Sequence, residues 1–260
     1  MVQGPIVKLL MSGFGLVFVV VGLYTMNRGR KQRAQSERIA DTETTRIRDL
    51  GGGTAEVKGT AHPVDGATAM ESPITRADAL AFHVEVEEWE SGGDSGGHWE
   101  TEHEEQRAVS MTVDDGTGEV RVEPPSDGGL NVDLTRTKVG SGEEPPEPIR
   151  RYVEREAGVN EATRHELGPL AIGDRRRYSE GVIEPGEEVY VLGTAREADA
   201  GWGERAFVID EPTGSGDFVL SDKSEADLIR EGKRGGLVFL IVGGLFALVG
   251  SLFTVVVWVV

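Results

Sequence analysis

Along the chain, apolar residues run unbroken only at the two ends and alternate with polar ones in between. The first run, residues 5–26 ("PIVKLLMSGFGLVFVVVGLYTM"), is uncharged apart from Lys8, and the last, residues 235–260 ("GGLVFLIVGGLFALVGSLFTVVVWVV"), carries no charged side chain. About 17–20 apolar residues suffice for a spanning helix, so each run predicts a transmembrane helix. A secretory signal would place its charges ahead of the apolar run and a small-residue cleavage site behind it. Here the basic "NRGRKQR" comes after the run, as a stop-transfer flank does.

Between the ends the period changes. Residues 27–50 read as a basic and polar linker, helical near the membrane and looser after "DTETT". From Gly51 the pattern is that of strands. "GGGTAEVKGTA" alternates after a glycine turn, and "ALAFHVEVEEWE" sets Phe82, Val84 and Val86 on one face against His83, Glu85 and Glu87 on the other. "VSMTVDDGTGEVRVEPP" predicts a hairpin: Val109, Met111 and Val113, a turn at Asp115-Gly116, then Val120 and Val122 until Pro124-Pro125. "RRYSEGVIEPGEEVYVLGTARE" repeats that logic around Pro185-Gly186, with Val189–Leu192 suited to a strand covered on both faces. "RAFVIDEPTGSGDFVLSDKS" predicts a last pair of short strands around Thr213-Gly214. Two helices interrupt the strands: "EPIRRYVEREAG", with Ile149, Tyr152 and Val153 at helical spacing and a stop at Gly158, and "SEADLIREGK", opened by a Ser224/Asp227 capping pair. Segments 90–105 and 139–148 are rich in Gly, Ser, Pro and acids and predict mobile excursions.

The expected fold is therefore mainly β, a small antiparallel barrel or sandwich with one or two short helices, flanked by two transmembrane α-helices. Its divisions are 5–26 and 235–260 as spans, 27–50 as linker, 51–222 as the β-rich domain and 223–234 as a juxtamembrane helix.

Charge sharpens the picture. The formal net charge is −18, but residues 41–232 hold all but one of the 45 acidic residues and only 19 of the 27 basic ones, a net of −25. Such a surface repels phosphate backbones and excludes nucleic acid as a partner of this segment. It suits very salty water, where the Debye length shrinks to about 3 Å at 1 M and self-repulsion is screened. The basic residues gather on the inner flanks of both spans: Arg28, Arg30, Lys31 and Arg33 after the first, Arg230, Lys233 and Arg234 before the second. The positive-inside rule then puts the central domain in the cytoplasm and both termini outside the cell membrane. Neither span has an ionisable group near its middle, which disfavours a pump or transporter. Gly243, Gly244, Ala247 and Gly250 give the second span a small-residue face for packing on the first span or, as a homo-oligomer, on a second copy.

Candidate chemistry is sparse. With no cysteine, disulfides, thiolate nucleophiles and thiolate metal ligands are excluded in these 260 residues. The five histidines are 62, 83, 98, 103 and 165. "HWETEH" groups His98 and His103 with Glu100 and Glu102, but a zinc-protease helix needs its histidines four apart, so solvated loop residues are the better account. Asp114, Asp115 and Glu119 lack the alternating acids of a calcium loop and read as turn residues. In "TGSGD", glycine directly flanks Ser215, so the Gly-x-Ser-x-Gly elbow is not met. Arg175, Arg176 and Arg177 read as an edge or surface run pairing with acids, and dinucleotide and Walker-type loops are absent. No catalytic residue, cofactor site or metal site is assigned.

Taken in order, "VKGTAHP", "ESPITRADALAFHVEVEEWE", "VDDGTGEVRVEP", "RRYSEGVIEPGEEVYVLGTA" and "FVLSDKSEADLIRE", with an apolar helix on each side, resemble the GIDE family over roughly residues 45–234. This is the membrane-adjacent domain of the mitochondrial outer-membrane ubiquitin and SUMO ligase, also found in prokaryotic membrane proteins. In that ligase the second helix leads to a RING domain with cysteine and histidine zinc ligands; with no cysteine and a sequence that stops at Val260, this chain is expected to lack it. The resemblance implies a substrate-facing or interaction domain and carries no catalytic residue across. Two functions are thus expected. One is a doubly anchored, non-enzymatic membrane protein presenting an acidic β-rich domain to an unidentified protein partner or for membrane organisation. The other is a ligase-like component whose transfer chemistry needs a RING-bearing or other catalytic partner.

Overall fold

The computed structural model describes residues 4–91, 96–126, 129–155, 175–198, 206–212 and 218–259. They form two compact units, Met1–Thr42 with Ser224–Val260, and Glu43–Lys223.

The first unit is a pair of helices, α1 (Pro5–Asp41) and α3 (Glu225–Val259), each long and apolar enough to cross a membrane. Pro5 at the first turn of α1 removes one of the donors that the helix start would orphan, and Ser224 caps α3 by accepting the Asp227 N–H at 3.2 Å. At about 1.5 Å per residue the 37-residue α1 extends roughly 55 Å, well beyond the ~30 Å of a hydrocarbon core. The predicted span and the basic part of the linker are thus one helix. Its contact with α3 is made by glycine. Gly15, Gly22 and Gly29 recur every seven residues on α1, facing Gly250, Gly243 and Gly236 at the same interval on α3. A Cβ on Gly22 would stand 2.5 Å from the Ala247 nitrogen and 2.6 Å from the Gly243 oxygen; one on Gly250 would stand 2.5 Å from the Gly15 oxygen. Backbone meets backbone there. Ser36, 1% exposed, continues the α1 series opposite Gly232. Alongside run the stacked rings of Phe18 and Phe246, 5.7 Å apart, and a 2.8 Å bond from Trp258 Nε1 to Ser12 Oγ. Of the small residues expected on the second helix, Gly243, Ala247 and Gly250 meet α1, whereas Gly244 faces open space.

The second unit is built of strands. β1 (Gly53–Pro63), β6 (Met111–Asp114), β7 (Glu119–Val122), β11 (Ala206–Asp210) and β10 (Glu188–Ala198) pair in that order, and β10 pairs back to β1, closing a five-stranded barrel. All neighbours are antiparallel except β7 and β11. Closure is possible because β1 serves two partners, residues 53–60 facing β10 and 60–63 facing β6. At the changeover Gly59 lies so close to the Asp114 carbonyl that no side chain fits. Inward alternation fills the barrel with Ala55, Val57, Ala61, Met111, Val113, Val120, Val122, Val191 and Ile209. A short 3-10 turn (Ile47–Asp49) adds Ile47 to this core. β12 (Val219–Ser221) lies against β10 beside β11.

A second sheet has the order β5 (Gly97–Ala108), β4 (Ala81–Ser91), β9 (Arg176–Ile183) and β8 (Thr135–Val139). Phe82, Val84, Val86 and Tyr178 on one face pack against Ile149 and Tyr152 of α2 (Glu147–Arg155). A ribbon of β2 (Met70–Glu71) and β3 (Asp78–Ala79) completes the unit; its turn is held by buried Glu180, whose two oxygens accept the Ile74 and Thr75 N–H groups at 2.8 and 2.9 Å. The mainly β barrel with short helices and two long apolar helices is as expected from the sequence.

Four local expectations are corrected. Residues 97–108 are a full strand against β4, not an excursion, because acidic side chains on a two-sided polar ribbon mask its alternation. β9 and β10 do not pair as a hairpin: the Pro185-Gly186 turn carries the chain from the second sheet into the barrel. β11 and β12 do not pair with each other but lie along the same side of β10. The Arg175–Arg177 run enters a central strand, not an edge, since β9 is flanked by β4 and β8. Thr213-Gly214, Gly158, His165 and Ser215 lie outside the described residues.

The glycine contact predicts that Gly22→Leu separates α1 from α3, with an overpacking cost of about 1–3 kcal/mol. Gly244→Leu, in open space, should leave the pair unchanged. Thermal unfolding of the two variants in micelles compares them directly.

Candidate functional site

The outer end of the second sheet brings together tryptophan, arginine, glutamate and histidine side chains. β4 and β5 are in register from Ala81↔Ala108 to Val86↔His103, then shift by one residue, leaving Glu102 as a bulge before Glu87↔Thr101. The extra residue resets which β5 side chains share a face with β4. Beyond it, Trp89 stands opposite Trp99 on one face, and Glu88 opposite Glu100, then Glu90 opposite His98, on the other.

On the tryptophan face the rings meet edge to face, centroids 5.2 Å apart, and two guanidiniums cover them: Arg175 lies 4.7 Å from Trp89 and Arg177 3.6 Å from Trp99. Each such cation–ring contact stabilises by about 0.5–1 kcal/mol when exposed. On the opposite face Arg176 is 5% exposed and binds Glu88 through Nε and a terminal nitrogen at 2.8 and 2.7 Å. Burial would lower the Arg176 pKa, but its bonds to Glu88 and Tyr178 raise it above the ordinary guanidinium value. The triple arginine therefore splits by strand alternation, two residues onto the indoles and one onto a carboxylate.

The "HWETEH" residues divide in the same way. His98 and Glu100 lie near Glu90, the three offering ligand atoms within 4.8 Å of one another. His103 instead sits by Tyr152, ring centroids 6.3 Å apart, against α2. Sequence reasoning passed over Glu90; the signal was the near-mirror order Trp89-Glu90 and His98-Trp99 on either side of a glycine-rich stretch of sequence, the pattern of two paired strands. It also passed over Glu56, fully buried on β1, which accepts the hydroxyls of Thr44 at 2.6 Å and Tyr190 at 2.8 Å with Lys58 Nζ 3.3 Å away. Alternation alone puts Glu56 outward; the covering segment around Thr44 becomes visible only in three dimensions.

Asp114, Asp115 and Glu119 lie at the β6–β7 turn. The Asp114 carboxylate accepts the Gly116 N–H at 2.7 Å, and Gly116 takes the left-handed φ of 78° that the turn requires. Asp115 accepts the N–H groups of Thr117 and Gly118 through one oxygen and of Ile47, at 2.9 Å, through the other. Both aspartates are thus turn residues, and Asp115 also fastens the 3-10 turn to the barrel.

The family model for GIDE, described as an E3 ubiquitin ligase, matches residues 82–257, more than half of the chain. The chain belongs to the GIDE family. No curated protein and no solved structure matched it. The matched GIDE region runs from the first buried aromatic of β4 into α3, so the Trp/Arg face, the Glu90–His98–Glu100 group and Asp115 all lie inside it, and Glu56 lies outside.

Burial would raise the pKa of Asp115, but the bonds from Ile47, Thr117 and Gly118 outweigh it and hold the carboxyl below its ordinary value. A depressed folded value contributes stability that is complete above the unfolded pKa of about 3.9 and is lost as pH falls through the folded one. Asp115→Ala should therefore cost about 1 kcal/mol at neutral pH, with the difference from the parent chain shrinking below pH ~4. Acid titrations of both proteins followed by tryptophan fluorescence measure that convergence.

Proposed function

We propose that this GIDE-family chain is a doubly anchored integral membrane protein that presents its acidic β-built unit at the cytoplasmic face for binding another protein. The observation that carries the reading is the glycine-lined pairing of two long apolar helices. Antiparallel packing puts the C-terminal end of α1 and the N-terminal end of α3 at the same end of the pair, where the chain enters and leaves the strand-built unit. Arg28, Arg30, Lys31, Arg33, Arg230, Lys233 and Arg234 lie at that end, and by the positive-inside rule it faces the cytoplasm. Near an anionic leaflet each adds about 1 kcal/mol of attraction at ordinary ionic strength.

Because the chain contains no cysteine, single introduced cysteines report topology cleanly. Ser141→Cys, on an exposed turn of the strand-built unit, should react with a membrane-impermeant maleimide only after lysis, and Gly4→Cys, ahead of α1, in intact cells. The reverse pattern overturns the orientation.

A second reading is favoured by the family description: a component of an E3 ubiquitin ligase. A RING domain needs cysteine and histidine zinc ligands, and these 260 residues include no cysteine, so in this reading the transfer step is supplied by a RING outside them. The purified chain, mixed with a charged conjugating enzyme, should then give no ubiquitin transfer until a RING-bearing subunit is added. Transfer by the chain alone overturns both readings, and enhancement by the chain of the subunit's activity supports the second.

A further inference from the structure

We propose that Glu90, His98 and Glu100 form a surface site for one divalent transition-metal ion of the zinc class. Glu90 and His98 are directly opposed across the β4–β5 ladder, and Glu100 lies two residues from His98 on the same face. Their ligand atoms already lie within 4.8 Å of one another. Donors bound to one tetrahedral ion at about 2.0–2.1 Å stand roughly 3.4 Å apart, so side-chain rotation without backbone movement closes the set.

Three features distinguish this trio from the abundant surface acids. One donor is an imidazole nitrogen, which suits zinc, whereas calcium and magnesium prefer oxygen alone. Glu88, the fourth residue of the same face, is already bound by Arg176, while no ion pair is recorded for Glu90, His98 or Glu100 among the described residues. The ladder behind them is stiffened, since Trp89 and Trp99 occupy the reverse face under Arg175 and Arg177. The Glu102 bulge is the enabling element: without the one-residue shift, His98 and Glu100 would point to the tryptophan side. Three protein ligands leave further positions on the ion for water or for a donor from a bound partner.

The test is zinc titration of the full chain in detergent micelles by calorimetry, with millimolar magnesium present to occupy non-specific carboxylates. One zinc ion per chain is expected, at least 10-fold weaker in His98→Ala and in the Glu90→Gln/Glu100→Gln double variant. Cobalt should give a visible ligand-field absorption in the parent chain that is lost in His98→Ala. The substituted side chains are exposed, so unchanged melting temperatures without metal confirm that the variants fold. Binding that is non-stoichiometric, displaced by magnesium or unaltered in His98→Ala overturns the site.

Discussion

The backbones of α1 and α3 touch at positions that carry no side chain, and that close approach organises the rest of the helical unit. Both helices are long and apolar enough to cross a membrane, and in lipid apolar side chains would gain little by meeting one another, so association would depend on van der Waals contact, which grows as the axes draw together. Glycine at Gly15, Gly22 and Gly29 against Gly250, Gly243 and Gly236 permits that approach over two heptads on each helix. A seven-residue interval keeps one stripe facing the partner because it matches two turns of a gently left-handed pair. The polar ends of both helices then fall together where the intervening chain joins them.

In the strand-built unit the corresponding constraint is closure. A five-stranded sheet left open would expose the long backbone of β1 or β10; pairing these two strands removes both edges. The second sheet keeps its outer edge at β5, whose acidic side chains oppose pairing with further strands. The chain passes between the barrel and the α2-covered sheet four times, from β1 to β4, β5 to β6, β7 to β8 and β9 to β10, the last through a turn with Gly186 at φ 93°.

Charge is handled differently inside and out. Among the described residues, the buried charged groups are each matched: Glu56 by two hydroxyls and a lysine, Glu180 by two backbone N–H groups, Arg176 by Glu88. Leaving any of them unpaired would cost several kcal/mol, so their partners are part of the fold rather than decoration. Elsewhere the carboxylates outnumber the basic groups, for a formal net charge of −18 over the whole chain. The chain belongs to a family described as an E3 ubiquitin ligase, and its 260 residues include no thiol.

The linear pattern was enough to place the helical spans, β1, β4, the β6–β7 hairpin, α2 and the Ser224 cap, because each is fixed by contacts among near neighbours: period, turn chemistry or a cap within three residues. It also showed that thiol chemistry is absent. Strand partnership was beyond it, since Val189–Leu192 reads alike whether it pairs with β9 or with β1. Also beyond it were the bulge that turns His98 toward Glu90, the shelter over Glu56 and the splitting of the three arginines. Those depend on which residue stands opposite which across the sheets, and register is a property of two chain segments at once, settled only when packing chooses among pairings that are locally equivalent.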